Sequence, residues 1–135
     1  MYVLKTLKSH GMSKAELSNV CRATLISKIA YASPSWWGFV SAIDKVRLNS
    51  LVSKAIKWGL YEQSMPNIFE VCDKADETLF RSVMNNSEHV LHQYLPPRQT
   101  HNYALRARPH DRQLSIATTL QSKSFLTRML NKDTY

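Results

Sequence analysis

Four carboxylates, Glu70, Asp73, Asp76 and Glu77, fall close together in this chain, and four histidines, His89, His92, His101 and His110, follow them. Two-metal chemistry requires carboxylates converging on paired cations. No two Asp are adjacent anywhere, and there is no Gly-rich phosphate loop, no HExxH and no nucleophile elbow. A zinc site wants four well-spaced donors, and the histidines stand at unhelpful distances from Cys21 and Cys72. The acidic run reads as an exposed helix face, so neither a catalytic residue nor a metal ligand is assigned. The chemistry left is that of cations. Arg47, Lys54 and Lys57 fall on one face of a helical pattern, with Ser50 between them. Arg106 and Arg108 alternate at i, i+2 beside Tyr103, so an extended chain points both guanidinium groups the same way. Such residues neutralise phosphates, while a tyrosine stacks on a base or sugar.

The charge distribution has the same sense. The formal net charge of the 135 residues is +8. Residues 1 to 60 hold nine Lys and Arg against two acids, residues 61 to 95 hold two against six, and residues 96 to 135 hold seven against two. Basic ends around an acidic middle fit a surface that meets nucleic acid. They fit equally a basic tail docked on an acidic helix of its own chain. A hydrophobic content of 44% with five Pro and three Gly excludes a fibrous or low-complexity protein. No stretch approaches the roughly 20 apolar residues of a membrane span, and lysines interrupt the first 30 residues where a signal core would lie. The expectation is an intracellular globular chain, with Cys21 and Cys72 as reduced core thiols.

The elements that must position these residues are helical. Tyr2 to Ser9 is a short helix closed at His10 and Gly11, and Ser13 with Glu16 is a capping box opening a second helix to about Tyr31. Leu17, Val20, Cys21, Thr24, Leu25 and Ile29 share an arc wide enough for burial on more than one side. Pro34 stops that helix and biases Ser33 toward extended backbone. Ser41 and Asp44 open a third helix, Ala42 to Trp58, which buries Leu48, Leu51, Val52, Ala55 and Ile56 and ends at Gly59. Pro34, Trp36, Trp37 and Gly38 form the corner between these helices, with at least one indole buried to fix the crossing; the alternative is a base-stacking platform. Asn67 and Glu70 open a fourth helix to about Met84, Glu88 to Tyr94 adds a turn or two, and Lys123 to Leu130 forms a short terminal helix. The fold expected is all-α: a bundle of three to five helices over residues 1–95, then an irregular basic arm and short helix over residues 96–135.

The run "LKTLKSHGMSKAELSNVCRATLISKIAYASPSWWGF", followed by "DKVRLNSLVSKAIKWG", resembles the segment after the polymerase palm in reverse transcriptases of jockey-like non-LTR retrotransposons. "LFRSVMNNSEHVLHQYLPP", "YALRARPHD" and "SFLTRMLNKDTY" resemble the ends of those polyproteins, so the resemblance covers nearly the whole chain in order. It implies a detached thumb and C-terminal tail, with Met1 inside the family's first thumb helix and Tyr135 at its end. The family's Ala-Asp-Asp site, its Mg and its endonuclease belong upstream of the matched region. The implied role is therefore non-catalytic: the bundle grips the backbone of an RNA/DNA hybrid or duplex against the palm, which is its other partner. Arg47, Lys54, Lys57, Tyr103, Arg106 and Arg108 are the candidate contacts. No cofactor, small-molecule substrate or membrane is expected, and work on chromosomal DNA implies nuclear access. Two other readings stand beside it, a helical protein-interaction module and a transposon relic with no independent role. Arg106 and Arg108 either straddle a phosphate backbone or pair with Asp73, Asp76 and Glu77.

Overall fold

Helix α1 (Tyr2–Ser9) turns Leu4 inward and ends at His10 and Gly11, whose φ of +86° suits glycine. Ser13 then caps α2 (Lys14–Cys21): its hydroxyl accepts the Glu16 N–H at 3.3 Å while the Glu16 carboxylate accepts the Ser13 N–H at 3.0 Å. The Ser13 hydroxyl also donates to that carboxylate at 2.7 Å, and this bond first, with the one from the Ser13 N–H second, holds the Glu16 carboxyl below its ordinary range. The computed structural model describes residues 1–99, 110–114 and 118–132. Tyr103, Arg106 and Arg108 lie outside the described residues.

The second helix departs from an even α-helical arc at its middle. A π-helical turn (Arg22–Ile26) links α2 to α3 (Ser27–Ala30). It adds a residue to one turn, so the inward line runs Leu17, Cys21, Ile26, with spacings of four and then five. Ile26 is buried where Thr24 was expected, and Thr24 is exposed with its hydroxyl donating to the Val20 carbonyl at 2.7 Å. Burial on more than one side does not hold either, because Glu16, Asn19, Ala23 and Ser27 form a wet face.

Pro34 is not what ends this helix. Ala32 adopts the left-handed conformation at φ 49°, ψ 26°, a strained choice for a residue with a Cβ, and the chain reverses there. Ser33 is not extended: it opens α4 (Ser33–Trp36), with Pro34 in the first turn where its missing N–H costs nothing. A 3-10 turn (Trp37–Phe39) leads into α5 (Ala42–Lys57). Ser41 accepts the Asp44 N–H at 3.2 Å, and its hydroxyl, with Arg47 second, keeps the Asp44 carboxyl below its ordinary range. At the far end Gly59 N–H donates to the Ile56 carbonyl at 2.8 Å and Leu60 N–H to that of Ala55 at 2.9 Å, a Schellman closure with Gly59 at φ +66°. Lys8 Nζ donates to the Trp58 carbonyl at 2.6 Å, and Lys5 Nζ lies 3.6 Å from the Trp58 ring centroid. The cations of α1 thus seal the negative end of α5.

Helix α6 (Ile68–Asn85) opens on Asn67, whose amide oxygen accepts the Glu70 N–H at 3.1 Å while Glu70 accepts the Asn67 N–H at 3.2 Å. The chain divides into two units, residues 1–75 and 76–135, and the division falls inside this helix rather than at residue 95. The first unit has a core of Leu17, Cys21, Val52, Ala55, Ile68 and Cys72, each at most 1% exposed, with Leu60 and Trp37 beside them. The architecture is all-α, and the only β pairing among the described residues is one antiparallel bridge, Arg98 to Arg112.

The second unit gathers the rest of α6, a 3-10 turn (His92–Tyr94), that bridge, another 3-10 turn (Gln121–Lys123) and α7 (Phe125–Leu130). Val83, Phe125, Met129 and Leu130 are its buried apolar residues among those described. Arg128 donates to the buried Asp76 carboxylate at 2.6 Å and Lys132 to Glu77 at 2.8 Å. Arg128 and Lys132 thus dock on the acidic part of α6 and place α7 with its later turns, while the two alternatives for Arg106 and Arg108 lie outside the described residues. Lys132, through its hydrogen bond first and its charge second, holds the Glu77 carboxyl below its ordinary value of 4.5. A depressed carboxyl contributes stability that is complete above the ordinary value and lost as pH falls through the folded one. The urea midpoint should fall between about pH 5 and pH 3, and by less in Lys132→Ala, which lacks that contribution. An identical acid loss in both proteins would remove the pair from the account.

Candidate nucleic-acid interface

Helix α5 carries the basic strip. Its Ser41 cap and Schellman end fix the helix, and the inward stripe through Val52 and Ala55 fixes its rotation. Arg47, Lys54 and Lys57 are consequently all exposed on one side, with Ser50 half-buried and donating to the Arg47 carbonyl at 2.6 Å. At 1.5 Å per residue the strip is about 15 Å long. Arg47 pairs with Asp44 at 3.0 Å, but the two side chains are 76% and 53% exposed, and an ion pair in that setting is weak enough to yield to a phosphate. Lys54 and Lys57 have no ionic partner among the described residues. They stand in the last turn of α5, where the helix dipole favours positive charge and gives them a structural use as well.

The corner residues are packed into the first unit. Trp37 is 4% exposed, edge-on to Trp36 at 5.8 Å and to Phe69 at 5.6 Å between centroids, with Lys45 Nζ 4.5 Å from its ring. Trp36 is half-buried and its indole N–H donates to the Tyr31 carbonyl at 3.0 Å. Pro34 and Gly38 are half-buried within α4 and the 3-10 turn. Trp37 is beyond reach of a base, and only the outer part of Trp36 meets solvent.

The carboxylates do not converge. Glu70 turns back to cap α6, Asp76 is buried against Arg128, Glu77 reaches Lys132, and Asp73 is exposed. His89, His92 and His110 are each tied to the backbone of their own unit. His92 Nδ1 donates to the Val83 carbonyl at 2.7 Å, and His89 Nδ1 accepts the Leu91 N–H at 3.1 Å. His110, buried, is held by Leu130 and Arg112: its Nε2 donates to the Leu130 carbonyl at 2.7 Å, so its Nδ1 is free to accept the Arg112 N–H at 3.1 Å. No group of three His, Cys, Asp or Glu suited to a metal occurs among the described residues, and none of their helices is long and apolar enough to cross a membrane.

The sequence reading passed over Phe39, Ile43 and Val46, which are 48%, 67% and 63% exposed. Helical spacing puts Ile43 and Val46 on the face of Arg47 and Lys54, away from the Leu48 and Val52 stripe, and that phase was the signal available. The exposed side of α5 therefore begins apolar and ends basic. Scans against protein-family models, curated proteins and solved structures find no match for this chain.

Proposed function

We propose that the first unit is a non-catalytic nucleic-acid-binding module of the reverse-transcriptase thumb type, gripping the backbone of an RNA/DNA hybrid or duplex through Arg47, Lys54 and Lys57. Tyr103, Arg106 and Arg108 belong to the same proposal as contacts from the arm. The observation that carries it is one exposed helix face on which Lys54 and Lys57 stand without ionic partners among the described residues, beside a loosely paired Arg47. Cations in this arrangement bind phosphate with little regard for sequence and release counterions as they do so. In the jockey-like retrotransposon enzymes that the chain resembles, the palm carboxylates perform the chemistry and the thumb only holds the duplex.

Fluorescence anisotropy of the purified chain with a labelled hybrid, titrated across salt concentrations, tests this. The three α5 cations alone predict a slope of log affinity on log salt of about −2.7, which the two arm arginines steepen toward about −4.5. A slope near zero would reject phosphate recognition. A protein-interaction module is the second reading, favoured by exposed Ile43 and Val46 at the start of the same face and by exposed Phe39 in the 3-10 turn before it. It predicts association that persists or strengthens in high salt.

A further inference from the structure

The wet side of the second helix holds a concavity of about 540 Å³ whose wall is the π-helical turn itself. Asn19, Arg22, Ala23, Ile26 and Ser27 line one side, and Tyr61, Pro66 and Val71 complete it. All belong to the first unit. The volume lies within the roughly 300–1,000 Å³ typical of small-molecule sites, which are mostly apolar with a few placed polar groups. Here Ile26, Val71, Pro66 and the Tyr61 ring supply the apolar part. Asn19 and Arg22 are the polar groups at the exposed side. A π turn is a rare departure from α geometry that recurs at functional sites, and this one brings Ile26 into the concavity.

The charge in the pocket is single and available. Arg22 is exposed and has no ionic partner among the described residues. Tyr61, buried, has its phenol pushed up by burial and by Cys21, with the Arg22 charge acting in the opposite direction, so guanidinium and phenol sense one another. The Tyr61 hydroxyl donates to the Pro66 carbonyl at 3.5 Å, the long limit of a hydrogen bond. It is a donor that a charged acceptor can recruit.

From this arrangement we infer that the pocket binds a small amphipathic monocarboxylate, its two oxygens on the Arg22 fork with the Tyr61 hydroxyl and the Asn19 amide beside them, and its apolar tail on Ile26 and Val71. One guanidinium neutralises one negative charge, and its paired N–H groups match the two oxygens of a carboxylate. A dianionic phosphate would need a second cation, and no other cation lines this cavity. The site is independent of the α5 strip, so it stands or falls apart from the nucleic-acid reading.

Octanoate and octanol are the probes, titrated into the full chain with amide chemical shifts as the readout. Octanoate should bind saturably at millimolar concentration and move the amides of residues 19–27, Tyr61 and Val71. Octanol, with the same tail and no charge, should bind at least about tenfold more weakly, as should octanoate to Arg22→Gln, because a charge-assisted contact is lost in each case. Ala23→Phe, at an exposed lining position, should occlude the pocket while leaving the core untouched. Absence of saturable shifts, equal affinity for octanol, full affinity in Arg22→Gln, or shifts confined to Arg47, Lys54 and Lys57 would each overturn the site.

Discussion

Reversing the α5 strip as Arg47→Glu, Lys54→Glu and Lys57→Glu should weaken hybrid binding on the order of 1,000-fold at low salt and make the salt slope shallower by about 2.7. Three charge-assisted phosphate contacts at about 1.4 kcal/mol each give that factor. Anisotropy on the triple variant measures both quantities. Reversal also places acids in the last turn of α5, where each costs about 0.3–1 kcal/mol against the helix dipole. The neutral triple, Arg47→Gln, Lys54→Gln and Lys57→Gln, avoids that repulsion and should still flatten the slope. Circular dichroism on both variants separates lost contacts from a lost helix. If the neutral triple binds as tightly as the parent, the strip is a solvated face and the grip lies elsewhere. Replacing Phe39, Ile43 and Val46 with Ser then asks the complementary question, since it should leave the salt slope alone and act only on self-association.

The parts of this fold legible in the sequence were those set by local chemistry. Ser13 with Glu16, Ser41 with Asp44, Asn67 with Glu70 and the glycine after Trp58 each satisfy orphan backbone groups within a few residues, so type and spacing were enough. The α5 phase followed for the same reason, since the Val52 and Ala55 stripe leaves Arg47, Lys54 and Lys57 outside. What the sequence obscured depends on contacts made later in the chain. The π turn cannot be seen in a 3.6-residue pattern, because the extra residue at Arg22–Ile26 matters only once Ile26 finds a place in the core. The reversal falls at Ala32, a residue type with no signal for a left-handed turn, two positions before Pro34, the breaker that the sequence displays. The acidic run looked like a bland face because nothing local indicated that Arg128 would bury Asp76 from 52 positions away.

The two tryptophans of the corner should respond to truncation very differently. Trp37→Ala removes a ring that is 4% exposed and packed edge-on against two aromatic neighbours, and should cost about 4 kcal/mol, the middle of the range for emptying a buried aromatic site. Of a stability of about 5–15 kcal/mol, that is enough to leave the first unit marginal. Trp36→Ala removes a half-buried ring and one indole N–H bond to Tyr31, for which about 1.5 kcal/mol is the expected cost. Urea denaturation followed by far-UV circular dichroism measures both, with Trp37→Phe expected to recover part of the loss because Phe retains the edge-on contacts. Equal costs at the two positions would mean that the corner is not held from beneath by Trp37. Hybrid affinity of Trp36→Ala supplies the functional half of the same test. As a corner anchor Trp36 can be shortened with the salt slope and affinity unchanged, whereas a stacking platform would lose about 1–3 kcal/mol per base, and the lost part would be insensitive to salt. Stability loss concentrated at Trp37, together with unaltered binding at Trp36, would assign the paired indoles to the fold and leave recognition to the cations of α5.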